Sequence, residues 1–508
     1  MSGRGVAGSG RSRRWLVPHL GTVFFLIHVG LGFGFARGAF VDPGTGWHLA
    51  TGRYILETRA VPHHDVFSFT AAGRPWIDYY WLFDLGAAAL ARLGGLPLFG
   101  AACLLVHALV PALLYRRIVR SGANPLAALA VMPVAYVVLL APATARPLLL
   151  TYVFVLILLD RLDDFHAGRC DWSALWWTPL LVALWCNLHG GFAAGIALTA
   201  VYAGVAAFDG LVLRDPAGRR RALVLTALTG AMLLATLANP YGIELPLDIV
   251  HHLRMESTRR FMEFQSPAFH QGGMAVTSFE LLVLALVATM ALGPVRFTRT
   301  EVGLAIVTLH WALVAQRNLN LFVFVAAPML ARGLTPLIAR LAPAASRRWE
   351  AIGATQAGLR SAWIHVPLAS AVVLWLAGHG RMPYPTTLDD MQLTAGAARF
   401  VEAHLDRFER PFNTANLGGS LIYRFAPRVK VFVDDRTFVY GDDFVMTDYF
   451  TVFDGRSGWE AVLQRWDVRA AIVAKATPCA TLLAASPAWT LAYGDEKNVI
   501  FFRNAPAS

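Results

Sequence analysis

The sequence predicts a polytopic α-helical membrane protein of about eleven transmembrane helices, followed by a C-terminal soluble α/β domain. Three observations predict it. Hydrophobic residues are 56% of the 508 and charged residues only 15%, against about 25% charged in an ordinary soluble domain. Apolar windows of about 20 residues, the length that crosses a bilayer core, recur up to residue 380 and then stop. Basic residues cluster between alternate windows, as they do in cytoplasmic loops. This composition excludes intrinsic disorder and a small disulfide scaffold. Cys103, Cys170, Cys186 and Cys479 lie far apart and form no CxxC, so neither a zinc site nor a disulfide framework is indicated.

The candidate spans centre near residues 26, 106, 133, 153, 181, 200, 230, 286, 309, 328 and 371. Before the first lie Arg4, Arg11, Arg13 and Arg14, as in a signal peptide. The apolar stretch from Leu16 to Ala36 is too long for a signal core, and no A-x-A-like cleavage site follows it. A retained first helix with a cytoplasmic N-terminus is the expectation. Alternation then places 20 Lys/Arg on inner segments, including Arg116-Arg117 and Arg219-Arg220-Arg221, and nine on outer ones. Residues 81–94 carry Asp84 and Arg92 and are short for a span. They read as an amphipathic helix at the outer interface.

Residues 1–380 form the expected transmembrane domain, with a long first outer loop at 37–80, and 381–508 the extracytoplasmic domain. The latter holds 29 of the 77 charged residues. KVFVDD (430–435), AAIVAK (470–475) and NVIFF (498–502) read as strands. In 394–408, Ala398, Val401 and Leu405 have helical spacing. The net charge of +11 resolves along the same boundary, because residues 381–508 contribute −1 and the membrane part +12. Topology explains that excess, so nucleic acid drops out as a partner.

Unusual polar residues gather in the outer segments. Asp42 leaves the first span just before Pro43-Gly44 turns the chain. Partial desolvation at a span end suits a carboxylate to general base work; the alternative is an N-cap for the short helix expected over Trp47–Glu57. Trp47, Phe67, Phe69, Trp76, Tyr79, Tyr80 and Trp81 suit interfacial anchoring. Arg146-Pro147 occupies a loop of a few residues, and WCNLHGGF (185–192) breaks an apolar run with Asn187 and His189. ANPYG (238–242) carries Tyr241 beside what reads as a helix stop. A basic stretch follows with Arg259 and Arg260, and QRNLN (316–320) places Arg317 and Asn318 at a further outer turn. Each arginine alone reads as a snorkelling side chain. Together they suit an anionic ligand such as a lipid phosphate or pyrophosphate, which the planar guanidinium binds bidentately.

Two sequences raise a divalent metal ion. His63-His64-Asp65 with His48 is one, but adjacent histidines do not face one site on regular structure, so a solvated loop is the reading. Asp434-Asp435 is the other, where a strand-end turn with a local Asp–Arg pair is expected. No metal ligand is assigned, although a divalent ion as cofactor stays open.

DPGTGWHLATGRYIL (42–56), VPHHDVFSFTAAGRPWIDYYWLFD (61–84), NLHGG (187–191), NPYG (239–242) and QRN (316–318) resemble a bacterial group of GT-C-like membrane proteins. The run 412–441 fits the same group. The GT-C superfamily comprises integral-membrane glycosyltransferases that use polyprenyl-phosphate-linked sugars. The resemblance implies that Asp42 is the catalytic base or orients the acceptor, and that Arg146, His189 and Arg317 hold the donor phosphate. His48, Asn187, Tyr241, Arg259, Arg260 and Asn318 are the further substrate-binding candidates. Several members carry Asp-Glu or Asp-x-Asp where this chain has Pro43 and Gly44.

The implied partners are a polyprenyl-phosphate-linked sugar, membrane lipids, and an acceptor that is a glycan, a lipid or a protein. The implied location is the bacterial inner membrane, multi-pass, with the C-terminal domain outside. Two other classes stand beside this one: a transporter or flippase of a lipid-linked intermediate, and a non-catalytic envelope assembly protein. The halves show no sequence repeat, which argues against an inverted-repeat transporter.

Overall fold

A computed structural model describes residues 19–140, 144–357, 363–389 and 391–505. The arginines before residue 15, on which the first helix's expected orientation rests, lie outside the described residues. The membrane part runs α1 (Leu20–Phe35), α2 (Gly44–Thr58), α3 (Trp81–Arg120), α4 (Pro125–Leu140), α5 (Leu148–His166), α6 (Thr178–Trp185), α7 (Phe192–Leu211) and α8 (Pro216–Ala235). It continues through α9 (Glu244–His252), α10 (Met274–Leu292), α11 (Arg299–Val314), α12 (Leu319–Leu341), α13 (Pro343–Ala357) and α14 (His365–Gly378).

The protein spans the membrane, but not with eleven helices. Among the described residues four are long and apolar enough to cross it: α3, α7, α10 and the stretch Gln316–Leu341 that contains α12. The remaining apolar windows fail for visible reasons. The windows near 26, 133, 309 and 371 form helices of only 16, 16, 16 and 14 residues, short of the about 20 that span a core. The window near 181 ends at Trp185 after eight residues, where the chain turns before His189. α5 carries Asp160, Arg161, Asp163 and Asp164, and α8 opens on three arginines. A hydropathy average runs across helix ends that the backbone respects.

Residues 81–94 form a helical segment set off by a break from the apolar run that follows, as their composition predicts. They are the first arm of α3, which bends at Gly94 and at Gly95, where φ is 70°. At the far end of α3, Arg117 and Arg120 pair with Asp163 at 2.8 Å and with Asp164 at 2.6 Å. The arginine cluster expected from topology therefore also ties α3 to α5.

Beyond α14 lies an extramembrane domain built on a four-stranded sheet: β1 (Pro411–Asn413), β2 (Ala470–Ala474), β3 (Trp489–Gly494) and β4 (Asn498–Arg503), in the order β1-β2-β4-β3. β1 runs parallel to β2, and β4 antiparallel to both β2 and β3, with Ile472 opposite Ile500. α15 (Ala395–Ala403) buries Ala398 and Val401 as their spacing predicts. Residues 430–435, expected as a strand, lie outside the sheet. They run instead beside the first loop, where Val431 N–H donates to Phe67 O at 3.0 Å and Phe69 N–H to Val431 O at 3.2 Å.

That pairing explains the loop aromatics. Trp47, Phe67, Trp76 and Tyr79 are buried, and the first three share a core with the extramembrane domain rather than lying in lipid headgroups. α2 packs on α16 (Ala415–Phe425) through Gly46 and Gly419, so closely that a Cβ on Gly46 would sit 2.2 Å from Gly419 O. At the centre is Arg436, wholly buried. It donates to Asp434 at 2.6 and 2.9 Å, pairs with Asp65 at 3.0 Å, and lies 4.4 Å from the ring of Trp76. Arg436→Ala leaves two carboxylates buried without their cation, a loss of about 3–5 kcal/mol. Thermal unfolding in detergent is expected to show the extramembrane domain melting or detaching first; an unchanged melting temperature contradicts this packing.

Candidate active site

Between the extramembrane domain and the end of the bundle lies a cavity of about 960 Å³. Asp42, His48, Arg146, His189, Arg260 and Arg317 all line it, although they are spread over 275 positions of sequence. The structure thus gathers six of the ten sequence-predicted residues.

Both carboxylate oxygens of Asp42 are engaged. Oδ1 accepts from Gly44 N–H at 2.9 Å at the start of α2, and Oδ2 lies 3.3 Å from Arg146 Nη1. Arg146 and Arg317 meet at a residue that the sequence reading missed, Glu263. Its Oε2 lies 3.2 Å from Arg146 and its Oε1 3.2 Å from Arg317. Burial works to raise the Glu263 carboxyl, but Arg317 and Arg146 outweigh it and hold it below its ordinary range. Burial likewise opposes the charge on Arg146, while Asp42 and Glu263 sustain it. The two arginines lie side by side around one carboxylate.

His189 is fixed by its own turn. Nδ1 accepts from Gly191 N–H at 2.8 Å and lies 2.8 Å from Thr151 Oγ1. An imidazole that accepts at Nδ1 carries its proton on Nε2, which makes His189 a donor toward the cavity. Burial, then Arg317, Arg146 and His48, push its pKa well below the ordinary value, so the ring is neutral.

The extramembrane domain contributes Asp435, which the sequence placed in a turn with a local ion pair. Asp434 does make that pair with Arg436, but Asp435 turns into the cavity. Trp47 Nε1–H donates to Asp435 Oδ1 at 2.8 Å. Asp435 Oδ2 and Asp42 Oδ1 each lie 3.0 Å from the place a Cβ would take on Gly44. Burial, then Asp434 and Asp42, raise the Asp435 carboxyl well above the usual range. Two carboxyl groups therefore share one end of the cavity. The signal for Asp435 was the doublet Asp434-Asp435 itself, since one buried arginine uses only one of them fully. For Glu263 there was no signal, because a lone Glu in a basic loop looks solvated.

Four predicted residues are structural or peripheral. Asn187 spends its amide on Ala183 O, Ala238 O and the Trp81 indole, which clamps the His189 turn to α3. Tyr241 Oη donates to Pro62 O at 2.7 Å, Asn318 to Trp311 O at 3.2 Å, and Arg259 is exposed outside the cavity. Arg260 lies at the rim, paired with Asp454 at 2.7 Å and 4.5 Å from the ring of Phe450. His63 and His64 are exposed while Asp65 is buried against Arg436, so the solvated-loop reading fits the histidines only. Among the described residues no group of three His, Cys, Asp or Glu is placed to hold a metal ion.

Among solved structures, the oligosaccharyltransferase of Archaeoglobus fulgidus is similar in fold. Its apo form matches with a TM-score of 0.52 at 12% identity, over 89% of this chain and 69% of that one. The complex of archaeal oligosaccharyltransferase AglB, from the same organism, with an inhibitory peptide and a dolichol-phosphate matches at 0.54 and 11%, over 90% and 69%. The form tethered to an acceptor peptide matches at 0.53 and 12%, over 91% and 70%. Identities this low establish likeness of fold alone. No family model matches the chain, and no curated protein does.

Glu263 competes with any anion for both arginines. Glu263→Gln is expected to tighten binding of an alkyl phosphate in detergent on the order of tenfold, about 1.4 kcal/mol. The pH dependence has a definite sign. A carboxyl lowered on folding stabilises fully above its unfolded value and loses that contribution as pH falls through its lower folded value. Acid is therefore expected to weaken the Glu263 link below its ordinary value of 4.5, and the Gln variant removes this step from an acid titration of stability. Equal phosphate affinity in the two proteins contradicts the competition.

Proposed function

We propose that the protein transfers a sugar from a polyprenyl-phosphate donor to an acceptor at the outer face of a bacterial inner membrane, with inversion at the sugar carbon. The observation that carries this reading is the convergence of Arg146, Arg317 and the Nε2–H of His189 on one cavity with Asp42 and Asp435. Two cations and a neutral donor suit a phosphate monoester or diester, and carboxyl groups beside them suit a hydroxyl nucleophile. The donor enters from the bilayer with its phosphate displacing Glu263 between the arginines. Asp42 accepts a hydrogen bond from the acceptor hydroxyl and orients it toward the sugar carbon. The bond from that carbon to the phosphate oxygen breaks, and the arginines and His189 stabilise the charge left on the polyprenyl phosphate. The similarity of fold to an archaeal enzyme solved with a dolichol-phosphate supports a lipid-phosphate donor here too.

Asp42, Arg146 and Arg317 lie at the end of the bundle that carries the extramembrane domain, which supports a reaction on that side of the membrane. Asp42→Asn keeps the shape of the site and the hydrogen bond from Gly44 N–H but loses the negative charge. Release of radiolabelled sugar from a synthetic polyprenyl-phosphate hexose, by protein in nanodiscs, is expected to fall by about 10²-fold or more, with donor binding retained. An undiminished rate in a correctly inserted variant contradicts the role of Asp42.

A further inference from the structure

Asp42 is an encumbered base. One of its oxygens accepts from Gly44 N–H and the other faces Arg146, so the charge that would draw a proton is already engaged. The same cavity wall holds a second arrangement. His48, one turn into α2, places Nδ1 2.5 Å from Asp84 Oδ1 on the first turn of α3. Both side chains are buried, Asp84 completely. The pair is set by Gly52, where a Cβ would fall 1.9 Å from Asp84 O, so only a glycine there lets α2 lie this close to α3. Trp47, Tyr80 and Phe83 wall the ring at centroid distances of 3.7, 5.1 and 5.4 Å and hold its plane.

The short Asp84–His48 contact holds one proton between the two groups, and with that proton on Nδ1 the Nε2 atom keeps its lone pair. Among the described residues Nε2 of His48 has no hydrogen-bond partner, and the residue lines the cavity. His48 and His189 thus present opposite faces to one space, an acceptor and a donor, each dictated by what its own Nδ1 meets. The charged and titratable groups around His48 are Asp84, Asp78, Asp42, Arg436 and His189. Burial lowers the ring's pKa to about 4 against the pull of Asp78 and Asp42, and Arg436 lowers it further, so the lone pair is available at neutral pH.

We propose that His48, oriented by Asp84, takes the proton released by the attacking acceptor hydroxyl, a role that rests on the glycosyl-transfer reading above. The acceptor O–H bond breaks as its oxygen bonds the sugar carbon, and the proton passes to His48 Nε2. The bond from that carbon to the phosphate oxygen breaks, and its electron pair leaves on the phosphate. Asp84 stabilises the imidazolium until it returns the proton to water. His48 is then the base, Asp84 a positioning residue, and Asp42 the group that aims the hydroxyl.

The test uses full-length protein in nanodiscs and a synthetic polyprenyl-phosphate hexose with radiolabelled sugar. His48→Ala is expected to lower sugar release by about 10²–10⁴-fold with donor binding intact. Added imidazole is expected to restore at least tenfold of that loss, and substituted imidazoles to do so in order of their basicity. Asp84→Asn is expected to slow the wild-type reaction and to add little in the His48→Ala background. A merely structural histidine gives no rescue, so a folded, donor-binding His48→Ala that imidazole leaves unchanged overturns the proposal, as does a His48→Gln variant of wild-type rate. An ¹⁵N spectrum of His48 is expected to show an unprotonated Nε2, and a proton there overturns the base assignment whatever the substrate. If the wild type releases no sugar while Nε2 is unprotonated, the glycosyl-transfer reading fails and the dyad stands.

Discussion

Arg436 is a full positive charge with no access to solvent, held between Asp434 on its own domain and Asp65 on the loop that follows the first helix. Burial works against the guanidinium charge, and Asp434 and Asp65 sustain it. Such a group tolerates one arrangement of its neighbours, because any separation leaves charges stranded in a low dielectric. Nη1 makes no hydrogen bond among the described residues, and the ring of Trp76 lies 4.4 Å from the guanidinium carbon, a cation–π contact at a desolvated site. The loop and the extramembrane domain are thereby fixed to one another.

The site follows from that fixation. The neighbouring Asp435 is carried to within reach of Asp42, and Trp47 bonds Asp435 while packing against His48. Without the docked domain the membrane end would hold arginines and an aspartate open to water. With it, the same groups face a cavity whose second wall is protein, where hydrogen bonds and charges act more strongly than in solvent. The two histidines show how little is needed to differentiate such groups. A backbone N–H at Nδ1 makes His189 a donor, and a proton held at Nδ1 by Asp84 makes His48 an acceptor.

Legibility in the sequence followed the range of the physics involved. Convergence of Asp42, Arg146, His189 and Arg317 was readable, because each is costly at a helix end beside lipid and needs a reason to be there. The sheet strands at 470–474 and 498–503 and the helix at 395–403 were readable from local periodicity. The number of spans was not. Hydropathy windows see composition but not the turn after Trp185 or the acidic end of α5. The loop aromatics were misread for a related reason: Trp47 and Trp76 have the composition of an interfacial belt, and only the pairing of 67–69 with 431 shows that protein covers them. Asn187 and Tyr241 looked functional because buried polar groups near a site do, yet their partners are backbone carbonyls and, for Asn187, the Trp81 indole.

The central claim is that two arginines, now bridged by Glu263, are a receptor for a lipid phosphate that the docked domain closes over. The most direct measurement is a cryo-EM structure of the full-length protein in nanodiscs loaded with polyprenyl phosphate. The predicted result is phosphate density between Arg146 and Arg317, within hydrogen-bond reach of His189 Nε2, with the Glu263 carboxylate displaced. A phosphate bound elsewhere, with Glu263 still bridging both arginines, would contradict the account.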